Sequence, residues 1–462
     1  MKNIVIIGGG ISGYLILMNL LRTPGAQRLN VVLLEKERLD RLGVPYETTE
    51  EAHLLNVPVS NMSAFSDDKN HFADWLLKNA IDFTPLSFMP RKIYRQYILD
   101  IFNHLMKYKS ELINVSMLQA EAVDVDMEGK NVLLNGAGQL SFDQLIMATG
   151  TFPPGHLALK NNDYTHSANY FPSAWQPGLM DSLKGLEEIF IIGTGLTMTD
   201  TIISLHERGH KGKVTAISRH GLMPAVHKKC IPYPCFGEDM RKQVTILGMF
   251  GILKKHLKQA AIIGSDWRAV TDALRPHIPQ LWNQLAEVER KAFIEHLRHR
   301  WEVCRHRMPE ECALIVHSWL ATGKITMYAG RIRQISESAE AGFCITYIQK
   351  KTQLIKQLKA DVIINCMGPL TDYNLIVHDL IRNLMQKGVI CADPLGLGLQ
   401  CSAEGALIQQ DGRVSDCFYT IGAPAKGTLW ETTAVPEIRV QAKQLADRVT
   451  GMHKPLLQYS NS

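Results

Sequence analysis

Short unbroken apolar runs alternate along this chain with longer stretches in which apolar residues recur at helical spacing. Ile4 to Ile7 and Val31 to Leu34 have the length and composition of strands buried in a parallel sheet, and YLILMNLLR between them reads as a helix. Helical patterns follow over 69–80 and 91–108, the second opened by Pro90-Arg91, and residues 115–145 alternate in the manner of strands and hairpins. FDQLIMATG, 142–150, reads as a strand ending in Ala148, Thr149 and Gly150, after which Phe152-Pro153-Pro154-Gly155 breaks the chain. The order then repeats, with an apolar run from Glu188 to Ile192, the helical TDTIISLHERG and a strand from Val214 to Ile217. Residues 238–312 read as helical, strands resume over 325–366 and end in ADVIINCMG, 396–412 is hairpin-rich, and 417–442 is strand, glycine-bearing loop and helix. The pattern predicts an α/β chain of two Rossmann-like domains with a helical insertion. The expected division is 1–155 for the first domain, 156–366 for the second with its insert at about 238–312, and 367–462 returning to complete the first.

Chemistry enters where the runs end. The first strand leads into Gly8-x-Gly10-x-x-Gly13, with Ser12 inside the turn, and the second ends at Glu35-Lys36. In such a unit the first glycine permits the tight turn, the second lets a pyrophosphate approach the backbone, and the third lets helix pack on strand. The helix start favours phosphate, and an acid in the place of Glu35 accepts hydrogen bonds from a ribose diol. A second unit runs from Glu188 into Gly193-Thr194-Gly195-Leu196-Thr197-Met198, with Met198 at the third glycine position, and its second strand ends at Ser218-Arg219. An arginine there pairs with a ribose 2′-phosphate, which favours NADPH over NADH. Together the sites imply FAD held in the first domain and reduced by NADPH bound in the second.

Composition narrows the setting. The chain has 462 residues, 46% of them hydrophobic and 21% charged, with a net charge of +5 and no long like-charged block. Neither nucleic acid nor a membrane surface is expected as a partner. No apolar run reaches membrane-spanning length and no secretory signal opens the chain, so a cytoplasmic location is expected. The nine cysteines lack framework spacing, and none precedes Cys230, which excludes a redox pair of the glutathione-reductase kind in the first domain. Cys230 and Cys235 could still form a thioredoxin-reductase-like pair, although their spacing is wider than that type requires. The histidines of HLRHRWEVCRHRMP, 296–309, lie among arginines that would repel a cation, and no metal is expected.

Several longer strings carry a resemblance: HLLNVPVSNMSAF, IIGTGLTMTD, WRAVTDALRP, RHRMP, INCMGP, DPLGLGL and GTLWETTAVPEIRVQA. Together they resemble the bacterial FAD/NAD(P)-binding protein family, whose relatives include an FAD-dependent urate hydroxylase and amino-acid N-hydroxylating monooxygenases. The resemblance implies the glutathione-reductase-like flavoprotein architecture. It implies an FAD- and NADPH-dependent oxidoreductase that uses O₂, through a flavin hydroperoxide, to hydroxylate a small polar nitrogen-containing substrate. By their place in the matching motifs, Asn56 and the 56–62 loop to Met62 are expected beside the flavin. Trp430, Glu431 and Thr432 are expected at its other edge, and Arg91 or Tyr94 reaching flavin or substrate. The catalytic candidates are thus Asn56, Arg91, Trp430 and Thr432. Val123, Ala148, Thr149, Gly150, Gly368 and Gly422 complete the expected cofactor-binding set. The alternatives are an NADPH-dependent flavin reductase or oxidase, a disulfide reductase working through Cys230 and Cys235, and a non-enzymatic FAD-binding sensor. Oligomeric state is not legible.

Overall fold

The apolar runs become strands because each finds a neighbour on both sides. In the computed structural model, which describes residues 1–23, 28–338 and 342–452, the chain opens with β1 (Lys2–Ile7), α1 (Ile11–Arg22) and β2 (Leu29–Glu35). Next come α2 (His71–Lys78), α3 (Arg91–Lys107), β3 (Ile113–Gln119), a small antiparallel sheet of β4 (Ala122–Asp126), β5 (Asn131–Leu134) and β6 (Gln139–Ser141), and β7 (Gln144–Met147). The middle of the chain supplies β8 (Tyr170–Phe171), α4 (Leu179–Ser182), β9 (Glu188–Ile192), α5 (Leu196–Glu207) and β10 (Lys213–Ser218). A run of helices follows: α6 (Gly237–Arg241), α7 (Ile246–Ile262), α8 (Trp267–Leu274), α9 (Ile278–Gln284), α10 (Glu287–His296), α11 (Arg298–Arg305) and α12 (Glu310–Ala321). Then come β11 (Ile325–Glu337), β12 (Phe343–Gln349), β13 (Ile355–Ala360) and β14 (Val362–Asn365). The return segment holds α13 (Asp379–Gln386), β15 (Ala406–Ile408), β16 (Val414–Thr420), α14 (Lys426–Leu429) and α15 (Val435–Val449).

These elements form two compact units, one of residues 1–49, 57–151 and 371–462, the other of 50–56 and 152–370. The first is built on a sheet ordered β15-β16-β7-β1-β2-β3. Its strands run parallel except for the β15–β16 pair. β1 is central, with Ile7 opposite Leu34 of β2 on one side and Met147 of β7 on the other. Ile4, Val5 and Ile6 are almost wholly buried, so this strand reads as one apolar run and not as an alternation. α1 packs against α3 and α15, with Tyr14 edge-on to Phe102 at 5.1 Å.

The second unit has a sheet ordered β13-β12-β11-β10-β9-β14-β8. β9 occupies the place of β1, between β10 and β14. Ile189 and Ile191 point to one core with Met198, Ile202 and Val214, while Phe190 and Ile192 join Phe343, Ile345 and Ile363 in another. Two buried faces require apolar residues at every position. The motif helix α5 sits on the first of these cores.

Three short segments that the expected division leaves in the first domain, 50–56, 152–155 and 367–370, fall in the second unit. Residues 50–56, which the sequence pattern leaves in the first domain, belong to the second unit because their polar groups are bound there. His53 is buried, its Nε2 2.9 Å from Ser204 Oγ and 3.2 Å from Asp200 O, and its ring meets Trp175 edge-on at 5.8 Å. Glu50 pairs with Arg208, and the backbone oxygen of Asn56 accepts from His227 Nε2 at 3.1 Å.

Burial, reinforced by the Arg307 cation, pushes the His227 imidazole down to about 4. A histidine held neutral in the fold but free to protonate when unfolded contributes stability above its unfolded value near 6.5, lost as pH falls towards 4. The thermal midpoint is therefore expected to drop over that interval. His227→Gln, which retains an N–H donor for Asn56, should flatten the drop when unfolding is followed by circular dichroism. An equally steep drop in the variant would assign the acid sensitivity to other groups.

Candidate dinucleotide sites

At the C-terminal end of β1 the strand order reverses between β2 and β7, which opens a crevice over the glycine turn. The glycines there are required for different reasons. Gly8 has φ +113°, and a Cβ on it would lie 2.4 Å from the carbonyl oxygen of Ala148 at the end of β7. Gly13 in α1 would bring a Cβ within 2.0 Å of Gly8 O. Gly10 has an ordinary φ of −73°, and a Cβ there would meet only Leu42 O at 3.9 Å. Among the described residues nothing else approaches a Cβ at Gly10 within 4 Å, which suits a ligand backbone approaching the turn. Glu35 closes the loop from β2: its Oε2 accepts from Gly9 N at 2.8 Å and its Oε1 from Glu37 N at 3.0 Å. Lys36 beside it is exposed, and Ser12 is buried on the first turn of α1.

The second unit repeats the arrangement in register. Ile192 of β9 stands opposite Ile217 of β10 as Ile7 stands opposite Leu34. Gly193 thus takes the place of Gly8, Ser218 that of Glu35 and Arg219 that of Lys36. Gly193 has φ +109°, and its Cβ would lie 2.7 Å from Cys366 O; a Cβ on Gly195 would meet nothing within 4 Å. Leu196 and Thr197 begin α5, and Met198 is fully buried in the core where α1 has Gly13. In place of the Gly9–Glu35 contact, Thr194 Oγ1 lies 2.8 Å from Ser218 Oγ, which also accepts from Gly221 N at 2.9 Å. Arg219 is exposed at the end of the strand.

The return segment brings further expected residues to the first site. Gly422, with φ +76°, sits beside Ser12, whose Oγ a Cβ would meet at 3.0 Å. Thr432 is fully buried, its hydroxyl donating to Gly422 O at 3.0 Å and accepting from Gln441 Nε2 at 2.7 Å. Gln441 Oε1 in turn accepts from Gly422 N at 3.1 Å, which closes a ring of hydrogen bonds between α15 and the turn. Trp430 lies between the last two helices of the return segment. It follows α14 with φ +55° and ψ −64°, while Glu431 N reaches back to Leu429 O at 2.7 Å. That geometry is a γ-turn of the rare positive-φ kind, costing on the order of 1–3 kcal/mol in a residue with a side chain. Its indole is buried.

The remaining candidates are more scattered. Asn56 is half-buried in the second unit, whereas Met62 is buried in the first, after a 3₁₀ turn over Val59–Asn61. Arg91 heads α3 near Tyr46, a phenol that burial raises to about 12. Tyr94 is wholly buried among Tyr46, Phe72 and Tyr97, and its hydroxyl has no hydrogen-bond partner among the described residues. Val123 lies at a bulge in β4, where its carbonyl accepts from Asn383 Nδ2 at 2.9 Å. Gly150 has φ +67°, and a Cβ on it or on Gly368 would meet nothing within 4 Å; Thr149 is half-buried.

Three residues that hold these turns are absent from the candidate set read from the sequence. Asp393, buried in DPLGLGL, accepts from Leu395 N and Leu397 N, and its carboxylate lies against Gly427. Gln441 shows only as a polar residue within a helix. Arg439 is buried and donates to Ser63 O at 2.9 Å. The aspartate before Pro-Leu-Gly is a turn signal that could have been found; the other two carry none. Cys230 and Cys235 are both free thiols with separate partners: Cys230 Sγ donates to Lys228 O at 3.2 Å, and Cys235 Sγ is 2.9 Å from His277 Nε2.

Residues 5–152 match the sequence model of a family described as FAD-NAD(P)-binding. No curated protein matches the chain. Among solved structures, the FAD-bound cadaverine monooxygenase of desferrioxamine biosynthesis from Erwinia amylovora aligns over 97% of this chain and 94% of its own at 12% identity and a TM-score of 0.65. An ornithine N-hydroxylase from Kutzneria sp. 744, with reduced FAD, NADP⁺ and L-ornithine, covers 97% and 99% at 13% identity and a TM-score of 0.65. L-lysine 6-monooxygenase from Pseudomonas syringae covers 98% and 100% at 13% identity and a TM-score of 0.64. At such identities the likeness is one of fold. The chain has the two-dinucleotide-domain flavoprotein fold, and its residues 5–152 are similar to the FAD-NAD(P)-binding family.

Proposed function

We propose that the protein is an FAD-dependent, NADPH-consuming monooxygenase that hydroxylates a small polar nitrogen-containing substrate. The observation that carries this reading is the contrast between two glycine turns in the same register. One is closed by the Glu35 carboxylate, the other by Ser218 followed by Arg219. An acid selects a ribose diol and a cation selects a 2′-phosphate, so two different dinucleotides are bound for good reason. The aligned structures support the substrate class, since cadaverine, ornithine and lysine each present an amine.

Bound FAD would take two electrons from NADPH and activate O₂, one oxygen atom going to substrate and the other to water. The residues of the chain bind, orient and exclude water. Gly10 leaves space for the FAD pyrophosphate and Glu35 receives the ribose, while Gly195 and Arg219 do the same for NADPH. Met62, Val123, Ala148, Thr149, Gly150, Gly368 and Gly422 complete the cofactor contacts. In the first unit Arg91 would orient the substrate, and the strained turn at Trp430 with the locked Thr432 hydroxyl would support the face on which it reacts; Asn56, in the second unit, is a separate candidate for substrate contact.

The deciding experiment follows NADPH oxidation by the FAD-loaded protein under ¹⁸O₂, with a panel of diamines, basic amino acids and purine-like heterocycles. Incorporation of one labelled oxygen atom per NADPH is expected for at least one of them. Peroxide as the sole oxygen product across the panel would reassign the protein as an oxidase.

Gly10→Ala should leave the unfolding temperature of the flavin-free protein unchanged while lowering FAD affinity about tenfold or more. Gly8→Ala should lower that temperature by several degrees, because its Cβ meets Ala148 O. Arg219→Ala should raise the KM for NADPH about tenfold and that for NADH little. The doubly substituted Cys230→Ser/Cys235→Ser protein should retain NADPH oxidation within about twofold of the parent. Abolished turnover would favour thiol chemistry.

A further inference from the structure

Beside Arg219 the structure assembles a second set of cationic and imidazole groups from three separate segments. His220 follows Arg219 directly and stacks on His299 of α11, ring centroids 3.7 Å apart and planes within 4° of parallel. Lys350, just past β12, places its Nζ 2.7 Å from His220 Nδ1. The backbone fixes both partners: Lys350 N donates to Ala329 O at 2.8 Å, and Gly221, with φ +62°, packs so closely on Ala329 that a Cβ would lie 2.9 Å from that residue's own Cβ. Arg300, next to His299, is exposed on the same helix.

The cluster lacks negative charge. Arg219, Arg300 and Lys350 form no ion pair with a carboxylate among the described residues. Among the described residues the acid that acts on His299 is Glu302, and it is engaged by Arg298 at 2.9 Å. Burial, with His299, Lys350, Arg219 and Arg300, pushes His220 down to about 4, and burial and the same cations lower His299. An arrangement that crowds donors and cations without an anion is stabilised when a phosphate joins it.

We propose that His220, His299 and Lys350 form, with Arg219, the subsite for the 2′-phosphate of NADPH, so that the helical insertion contributes through α11 to coenzyme discrimination. The inference rests on the reading that the second unit binds NADPH. It goes beyond that reading by giving the insertion a share in recognition that its own sequence pattern does not announce.

Calorimetric titration of the oxidised FAD-loaded protein with NADP⁺, NAD⁺ and adenosine 2′,5′-bisphosphate tests it without turnover. His299→Gln and Lys350→Met should each weaken NADP⁺ and the bisphosphate about tenfold and leave NAD⁺ within about twofold, the unchanged NAD⁺ affinity showing that the variants are folded. Unaltered NADP⁺ affinity in both variants, with a loss in Arg219→Ala, would overturn the role of the insertion and leave the proposed coenzyme standing. Equal losses for NADP⁺ and NAD⁺ would make the cluster structural and also overturn it. A parent protein that binds NAD⁺ more tightly than NADP⁺ would remove the coenzyme reading itself.

Discussion

Both units depend on one close approach of backbone to backbone. At the end of each central strand the chain turns into a helix by pressing a glycine against the carbonyl of the neighbouring strand's last residues. Gly8 does so on Ala148 and Gly193 on Cys366, both with φ near +110°. A side chain at either position would have to occupy the space of a main-chain oxygen. The contact lies where strand order reverses, so it shapes the crevice as well as the turn. The second glycine of each motif, Gly10 or Gly195, is then left over an opening that the described residues do not fill. Position eight builds the site and position ten keeps it open.

The two units solve the packing of the following helix differently, which shows what is negotiable. In the first, Gly13 lets α1 lie against the turn so tightly that a Cβ would stand 2.0 Å from Gly8 O. In the second, Met198 fills the corresponding position and is wholly buried among Ile191, Ile202 and Val214. A long flexible side chain is tolerated there because it is absorbed by the core of the sheet. The third glycine of the motif is thus a packing solution, whereas the first is a steric necessity.

Legibility in the sequence follows the range of the interactions. The strands β1, β2, β9 and β10 and the helices α1 and α5 are announced by apolar runs and local spacing, and so are the glycines and Glu35 that close the turns. What escaped detection depends on contacts across long separations. Residues 50–56 read as part of the first domain, and contacts made across long separations, such as that of buried His53 with Ser204 some 150 positions later, draw them into the second unit. The pattern over 417–442 gives strand, loop and helix without marking where the helix begins; it begins at Val435, and Trp430 is held in a strained turn before it. The pairing of Gln441 with Thr432 has no signature, since a glutamine on a helix is ordinarily a surface residue.

The histidines of the insertion show the same limit from the other side. Spacing alone brings His296, His299 and His306 to notice as possible metal ligands, and the surrounding arginines argue against a cation. The fold turns that argument into a positive one. The arginines that would repel a metal make the neighbourhood of His299 receptive to an anion, and stacking on His220 carries that property to the end of the strand where Arg219 stands. An imidazole pair among cations stays neutral while nothing opposes them and can take up a proton when a phosphate does, since the charge then gained is matched at short range. Glu35 illustrates the opposite case in the first unit, where a carboxylate bound by two backbone N–H groups would repel a phosphate and, in the proposed function, accept a diol. The difference between the two sites is therefore set less by the shared glycine turn than by the sign of the charge gathered at the end of the second strand.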